Sequence, residues 1–179
     1  MTDRVMVDIE TLGLEPGCVV LSIGAVRFGA GELGDQFYRS INRESCEAAG
    51  LTVDGGTLEW WQDQSEEARE VLTGGDDLED VLREFVMWID GADEVWANSP
   101  SFDCEVLVAA GKAVGVPMTW EYYEERDFRT LSDLPLAPQV DQDGVEHNAL
   151  DDAKHQAHVA AATLKRVDEA AAQEVPDAE

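Results

Sequence analysis

Residues 4–13 read RVMVDIETLG and place two acidic side chains, Asp8 and Glu10, inside an otherwise apolar run. Apolar and β-branched residues in a run of this length are typical of a buried β-strand. Side chains two positions apart on a strand point to the same face. Both carboxylates are therefore expected on one face at the carboxyl end of the strand, where burial is unfavourable unless something binds them.

The rest of the chain predicts a sheet flanked by helices. Short turns after the first strand favour an antiparallel meander of three strands, and apolar residues at helical spacing predict the later helices. The expected elements, in chain order, are strands at 5–9, 18–28 and 36–41, helices from 57 and at 76–89, a strand at 94–98, and helices at 99–115 and 149–172. This order indicates an α/β domain with a mixed sheet, three antiparallel strands followed by a parallel one.

Length and composition favour a single globular domain. With 179 residues, 44% of them hydrophobic, the chain is long enough for a sizeable core. We expect residues 1–172 to form one domain and residues 173–179 to be an acidic, frayed tail. No apolar run approaches the roughly 20 residues of a membrane span, and the first residues do not resemble a signal peptide. A cytoplasmic location without membrane contact is therefore expected.

The charge is strongly acidic, with 39 Asp and Glu against 12 Lys and Arg and a formal net charge of −27. Proteins usually bind phosphate backbones through basic patches, so charge alone argues against nucleic acid. Acids spread along a whole chain also suit molar salt, where the Debye length falls to about 3 Å and self-repulsion is screened. A halophilic origin is therefore one hypothesis, and an acidic motif carries weight only in conjunction with others.

Two later segments each add an acid near the start of a predicted helix. Asp103 lies in NSPSFDCEVL, residues 98–107, and Asp152 lies in HNALDDAKHQAH, residues 147–158, five residues after His147. Carboxylate oxygens are the ligands that Mg²⁺ and Mn²⁺ prefer. Imidazole side chains titrate near neutrality, which suits a general base. The sequence therefore predicts a divalent-cation site with a histidine beside it.

Each motif also has a plainer explanation. The first two acids would fit a solvent-facing pair on an edge strand, and Asp103 would fit compensation of a helix dipole. His155 and His158 form an H-x-x-H pair, but no Cys or third His stands nearby, so a zinc site is disfavoured. Asp151 is expected to point to solvent, because adjacent helical residues diverge by about 100°.

Taken together, the motifs give Asp, Glu, Asp, His and Asp in order, on a strand and at two helix starts. This conjunction resembles the DEDDh 3′–5′ exonucleases of the RNase H-like superfamily, and the resemblance covers roughly residues 4–165. The matching segments are Asp8-Ile9-Glu10, residues 98–103 and residues 147–152. The segments at 58–69 and 127–134 are most similar to the branch of phage-type exonuclease A and small bacterial 3′–5′ exoribonucleases.

The resemblance implies an RNase H-like fold and two bound Mg²⁺ or Mn²⁺ ions. By this resemblance Asp8 contacts both ions, Glu10 and Asp152 complete the site on the nucleophile side, and Asp103 supports the second ion. His147 is implied as the base that takes the proton of the attacking water. The implied reaction releases nucleoside 5′-monophosphates from the 3′ end of single-stranded nucleic acid, with RNA favoured over DNA.

The resemblance also implies contacts with the terminal nucleotide. The candidate substrate-binding residues are Thr11, Leu12, Trp61, Asn98, Phe102 and Arg129. Leu12 is expected to wedge against the last base and Phe102 to stack on it. At most one of the adjacent residues Trp60 and Trp61 is expected to stack as well, and core packing is the favoured alternative for both. A catalytically inactive binding or partner subunit stays open as a rival function, and a homodimer is one option for the oligomeric state.

Overall fold

One mixed sheet organises the structure, a computed structural model that describes residues 2–29 and 31–173. Its strands are β1 (Arg4–Thr11), β2 (Val20–Phe28), β3 (Leu33–Ser40), β4 (Glu94–Ala97) and β5 (Glu125–Asp127). They lie in the order β3-β2-β1-β4-β5. β2 is antiparallel to β1 and β3, whereas β4 is parallel to β1 and β5. The predicted fold, an RNase H-like mixed sheet of three antiparallel strands and then parallel ones, is confirmed.

Helices cover both faces of this sheet. They are α1 (Arg43–Ala48), α2 (Gly55–Gln62), α3 (Glu66–Arg69), α4 (Leu78–Ile89), α5 (Pro100–Val114), α6 (Phe128–Ser132) and α7 (Ala149–Gln173), with 3₁₀ turns at Glu70–Leu72 and Tyr122–Glu124. Buried residues of α4 and α5 belong to the main core on one face, and those of α7 belong to a smaller core on the other. Within the described ranges no helix, including the 25-residue α7, is long and apolar enough to cross a bilayer.

β1 is the central strand, and its two faces have different roles. Val5, Val7 and Ile9 pack into the main core. Met6, on the alternate face, packs into the smaller core with α7. Because side chains alternate along a strand, Asp8 and Glu10 share the face of Met6, beneath α7. The apolar run of the sequence therefore supplies the main core, and the two acids interrupt the other face.

Gly24 on β2 lets the start of α7 sit directly on the sheet. A Cβ atom at this position would lie 2.1 Å from the carbonyl carbon of Ala149 and 2.2 Å from the amide nitrogen of Leu150. Such distances are too short for any side chain, so glycine is required. Gly24 is also the register partner of Asp8. This close approach brings the first turn of α7, with Asp152, next to the acids of β1.

Several predicted boundaries differ from the structure. α2 begins at Gly55 rather than at Thr57, because the side chain of Asp54 caps the helix and accepts a 2.8 Å hydrogen bond from the Thr57 amide. α1 and the three-residue β5 form in stretches for which no helix or strand was predicted. α7 ends at Gln173, and the rest of the predicted tail lies outside the described residues.

Candidate active site

Four carboxylates from three elements converge at the carboxyl end of β1. Asp8 and Glu10 belong to β1, Asp103 to the first turn of α5, and Asp152 to the first turn of α7. The pKa of Asp8 is well above its ordinary value, first because of burial and then because of the charges of Asp103, Glu10 and Asp152. The four groups therefore share one electrostatic environment, in which like charges repel.

Burial raises the pKa values of the other three acids too. Burial raises the pKa of Glu10 to about 8, with further contributions from the charges of Asp152 and Asp103. Burial raises the pKa of Asp103 to about 7, against the opposing effects of backbone amides and the charge of Arg129. The pKa of Asp152 is raised by burial, and a hydrogen bond from Gln142 and the charge of His147 lower it.

His147 stands next to this cluster, immediately before α7. Its backbone has a positive φ of 63°, which few non-glycine residues adopt. The imidazole packs edge-on against the Trp60 indole, with ring centroids 4.8 Å apart. Ligand atoms of His147, Glu10 and Asp152 lie within 4.8 Å of one another. The structure therefore brings His147 together with the acids, as the motif spacing predicted.

The side chain of Asp151 was expected to point to solvent, but it takes part in the contacts that position His147. Its carboxylate does not point freely to solvent, since it accepts a 3.0 Å hydrogen bond from the Val145 amide and pairs with Lys154 Nζ at 3.1 Å. Asn148 caps α7 by accepting from the amides of Leu150 and Asp151. These hydrogen bonds tie Val145 and Asn148 to the first turn of α7. The backbone of His147, which lies between those two residues, is therefore held in place.

Two glutamines that were not predicted contact the acids. Gln156 Nε2 donates a 2.8 Å hydrogen bond to Oδ1 of Asp8, and Gln142 Nε2 donates to Oδ1 of Asp152. Gln156 lies four residues after Asp152, so both belong to one face of α7. That spacing was visible in the sequence, whereas nothing in the sequence marked Gln142.

The donor set fits a hard divalent cation. Within residues 2–29 and 31–173, Glu10, His147 and Asp152 are the one group of three potential ligands whose ligand atoms all lie within 4.8 Å of one another. His155 and His158 form no such group with a third ligand there. A bound cation reduces the electrostatic repulsion among these carboxylates. Carboxylate oxygens are ligands that suit Mg²⁺ or Mn²⁺.

A cleft of about 530 Å³ opens beside the acids. Glu10 and Thr11 lie at its inner end, and Trp60 and Phe102 contribute aromatic walls. Trp61 also borders the cleft, but it is only 1% exposed and its indole nitrogen donates a 2.9 Å hydrogen bond to the Thr11 carbonyl. The exposed tryptophan is Trp60, at 43%. Trp61 is therefore a core residue, the alternative that the sequence favoured, and its buried ring offers no face on which a base could stack.

The expectation that Leu12 wedges against a base is contradicted by its burial. Leu12 is fully buried, and its amide donates a 2.9 Å hydrogen bond to the Val19 carbonyl. The pairing of β1 with β2 shifts register between Glu10 and Thr11, so the alternation of side chains is interrupted there and Leu12 turns into the main core. Leu14, 75% exposed, borders the cleft instead.

Asn98 and Arg129 lie together beside the helix start that carries Asp103. The Arg129 guanidinium contacts both the side-chain oxygen and the carbonyl oxygen of Asn98, each at 3.4 Å. Both residues are exposed, and the charge of Arg129 reaches Asp103. The structure thus places a positive side chain on the Asp103 side of the site.

Comparisons with known proteins show the family and the fold of the chain. A family model described as the 3′-5′ exoribonuclease Rv2179c-like domain matches residues 3–164. No curated protein matches the sequence. Among solved structures, E. coli exonuclease I in complex with a 5cy-dT13 oligonucleotide is 16% identical, with a TM-score of 0.61 over 97% of this chain and 42% of that one.

Two further structures share the fold. Exonuclease X in complex with 5′ overhanging duplex DNA is 17% identical, with a TM-score of 0.57 over 94% of this chain and 93% of that one. Cell-death related nuclease 4 is 14% identical, with a TM-score of 0.54 over 95% of this chain and 64% of that one. The chain spans less than half of the exonuclease I chain. At these identities the likeness to solved structures concerns the fold.

Proposed function

The chain belongs to the family of Rv2179c-like 3′-5′ exoribonuclease domains, and we propose that it is a divalent-cation-dependent 3′–5′ exonuclease of the DEDDh type. Its substrate is single-stranded nucleic acid, RNA in preference to DNA, and its products are nucleoside 5′-monophosphates. Residues 1–172 form the exonuclease domain in this proposal. The observation that carries it is the convergence of four carboxylates, two of them (Glu10 and Asp103) buried, and one histidine at one end of β1.

The acids form the cation site. Asp8, Glu10, Asp103 and Asp152 would hold two Mg²⁺ or Mn²⁺ ions, with Asp8 shared between them. When bound, such ions stabilise charge on phosphoryl oxygens and lower the pKa of a water molecule. The raised pKa values of Glu10 and Asp103 mean that the empty cluster keeps protons near neutral pH. Cation binding therefore releases protons from this cluster.

His147 is the general base. Its ring lies beside Glu10 and Asp152, and the edge-on contact with Trp60 restricts how the ring can turn. The side chain takes the proton of the attacking water as the phosphodiester bond breaks. The 3′-terminal nucleotide leaves with its 5′-phosphate, and the shortened strand keeps a 3′-hydroxyl.

The cleft beside the acids receives the terminal base. Trp60, Leu14 and Phe102 offer apolar surface to a base, which stacks without regard to its sequence. The side chain of Arg129, on the Asp103 side, is placed to meet a backbone phosphate. A bound cation also explains how a chain with a net charge of −27 can bind nucleic acid, because the cation makes a locally acidic site attractive to phosphate.

The rival function is a binding subunit that keeps the fold but has no turnover. Such a subunit has no need to bury mutually repelling acids, so the convergence of all five residues favours catalysis. The RNA preference rests on the description of the family.

The test uses two 5′-labelled single-stranded oligonucleotides of one sequence, RNA and DNA, with Mn²⁺ in buffers of low and high KCl. We expect a ladder that shortens from the 3′ end, faster for RNA, and abolished by EDTA. Asp8→Asn should give no ladder. Asp35→Asn, which removes an exposed acid of β3 far from the cluster, should match the wild type. Absence of any ladder from a folded wild-type protein at every salt concentration would favour the binding subunit.

A further inference from the structure

Gln156 lies above Asp8 of the acid cluster, on the face of α7 that packs against the sheet. Its side chain is buried, with 6% exposed. Its Nε2 donates the 2.8 Å hydrogen bond to Oδ1 of Asp8. Its amide oxygen, Oε1, is buried as well and has no hydrogen-bond partner within the part of the chain that the structure describes. Gln156 therefore makes one bond to the cluster and leaves its acceptor unused.

The carboxylate of Asp8 determines which way this amide faces. Asp8 must be ionised to bind a cation, and a flipped amide would then point Oε1 at that carboxylate, so that two acceptors would face each other without a proton between them. A buried amide oxygen without a donor is unfavourable for stability. If the position served packing alone, an apolar side chain of similar volume would be better there. The hydrogen bond to Asp8 is thus the feature that explains a glutamine at this place.

The rest of the α7 face is shaped so that Gln156 can reach Asp8. Four fully buried alanines line the same side of the helix and let it approach the sheet closely: Ala149, Ala153, Ala157 and Ala160. Gly24 has no side chain that would collide with the start of the helix. Among these small neighbours, Gln156 is the long side chain that extends to β1.

We propose that Gln156 is a positioning residue for the cation site, whose neutral amide holds Oδ1 of Asp8 and leaves Oδ2 free to bind a divalent cation. The inference rests on the proposed function, because it concerns the same site. A neutral donor suits this task. A lysine or arginine would also hold the carboxylate, but its charge would repel the cation. Side chains that orient a metal ligand are typically worth 10- to 100-fold in metal affinity or activity.

The test measures Mn²⁺ affinity by calorimetry and the metal-free melting temperature of three variants of the full chain. Gln156→Met keeps the volume and removes the donor, and Gln156→Asn keeps the amide and shortens its reach. Thr163→Val is the matched control, because it removes a fully buried polar group from the same helix without touching Asp8.

We expect both Gln156 variants to bind Mn²⁺ roughly ten-fold more weakly or worse, while the metal-free Tm of Gln156→Met is unchanged or higher. In the exonuclease assay, high Mn²⁺ should restore most of the lost kcat, and the KM for the oligonucleotide should not change. Thr163→Val should bind Mn²⁺ as the wild type does.

Wild-type Mn²⁺ affinity in Gln156→Met would overturn this inference and leave the proposed function standing. A fall in the metal-free Tm of Gln156→Met as large as that of Thr163→Val, with unchanged affinity, would assign Gln156 a packing role. Lack of Mn²⁺ binding by the wild type would overturn the inference and the proposed function together.

Discussion

The two faces of β1 contribute to stability in opposite ways. On one face Val5, Val7 and Ile9 join the main core, where removal from water stabilises the fold. On the other face Asp8 and Glu10 lie under α7, and burial raises their pKa values. The first face makes the fold stable, and the second costs stability when no cation is bound. Because these acids lower the stability of the metal-free protein, we infer that their role is to bind a cation.

The sharpest test of this contrast removes one acid. Asp8→Asn should abolish exonuclease activity while the protein stays folded, because a carboxylate of the proposed cation site is lost. Electrostatic stabilisation by a metal centre is worth several kcal/mol, so the rate should fall by roughly 10³-fold or more. Single-turnover rates with saturating protein measure this loss. A residual rate within ten-fold of the wild type would show that Asp8 is not part of the centre.

A substitution on the apolar face should have the reverse effect. Leu82 of α4 is fully buried in the main core, so Leu82→Ala should destabilise the protein by about 2–5 kcal/mol. Chemical denaturation at fixed salt measures this change. Activity per folded molecule should stay close to that of the wild type, since no side chain of the site is touched. Loss of activity without loss of stability would remove the distinction between the two faces.

The stability of the metal-free protein should depend on pH through Glu10. The pKa of Glu10 is about 8 in the fold against an ordinary value of 4.5, so the folded state binds the proton more tightly than the unfolded state. The stability that this tighter proton binding adds to the folded state is fully present below about pH 4.5 and is lost as pH rises through about 8.

The metal-free Tm should therefore fall between pH 5 and pH 8.5, and Glu10→Gln should flatten the fall. For a chain of this size each 1 kcal/mol corresponds to about 2–4 °C in Tm. Saturating Mn²⁺ should reverse the trend for the wild type and have little effect on Glu10→Gln. A pH profile that is identical in wild type and variant would mean that Glu10 is not the group responsible.

The smallest expected effect concerns the cleft. Trp60→Ala removes an exposed ring that borders both the cleft and His147. Stacking on one base is worth about 1–3 kcal/mol, so the KM for an oligonucleotide should rise about ten-fold. Loss of the contact with His147 adds a smaller decrease in kcat. Steady-state kinetics separates the two, and an unchanged KM would place the terminal base elsewhere.

Residue spacing was enough to predict where each acid lies on its own strand or helix, and the resemblance to the DEDDh exonucleases was needed to join the acids into one site. Two residues on a strand share a face, and Asp103 and Asp152 lie in the first turns of their helices. Those rules do not depend on tertiary contacts. The order of strands and helices predicted the mixed sheet for the same reason.

The errors occurred where the chain leaves regular structure. The register shift after Glu10 turned Leu12 inward and left Leu14 at the cleft, and no alternation rule anticipates such a shift. Asp151 and Gln142 depend on the path of the loop before α7, which sequence spacing does not define. The preference for molar salt stays a prediction, and melting curves in dilute buffer and in molar KCl would test it.

The most direct test of the central claim is calorimetric titration of the metal-free protein with Mn²⁺ at pH 7, in two buffers with different ionisation enthalpies. We predict saturable binding with a defined stoichiometry and a heat that differs between the buffers, because Glu10 and Asp103 give up protons as the cation binds. Asp8→Asn should lose most of this binding. A folded wild-type protein that shows no saturable uptake, or uptake that Asp8→Asn leaves unchanged, would contradict the claim that the buried acids form a cation site.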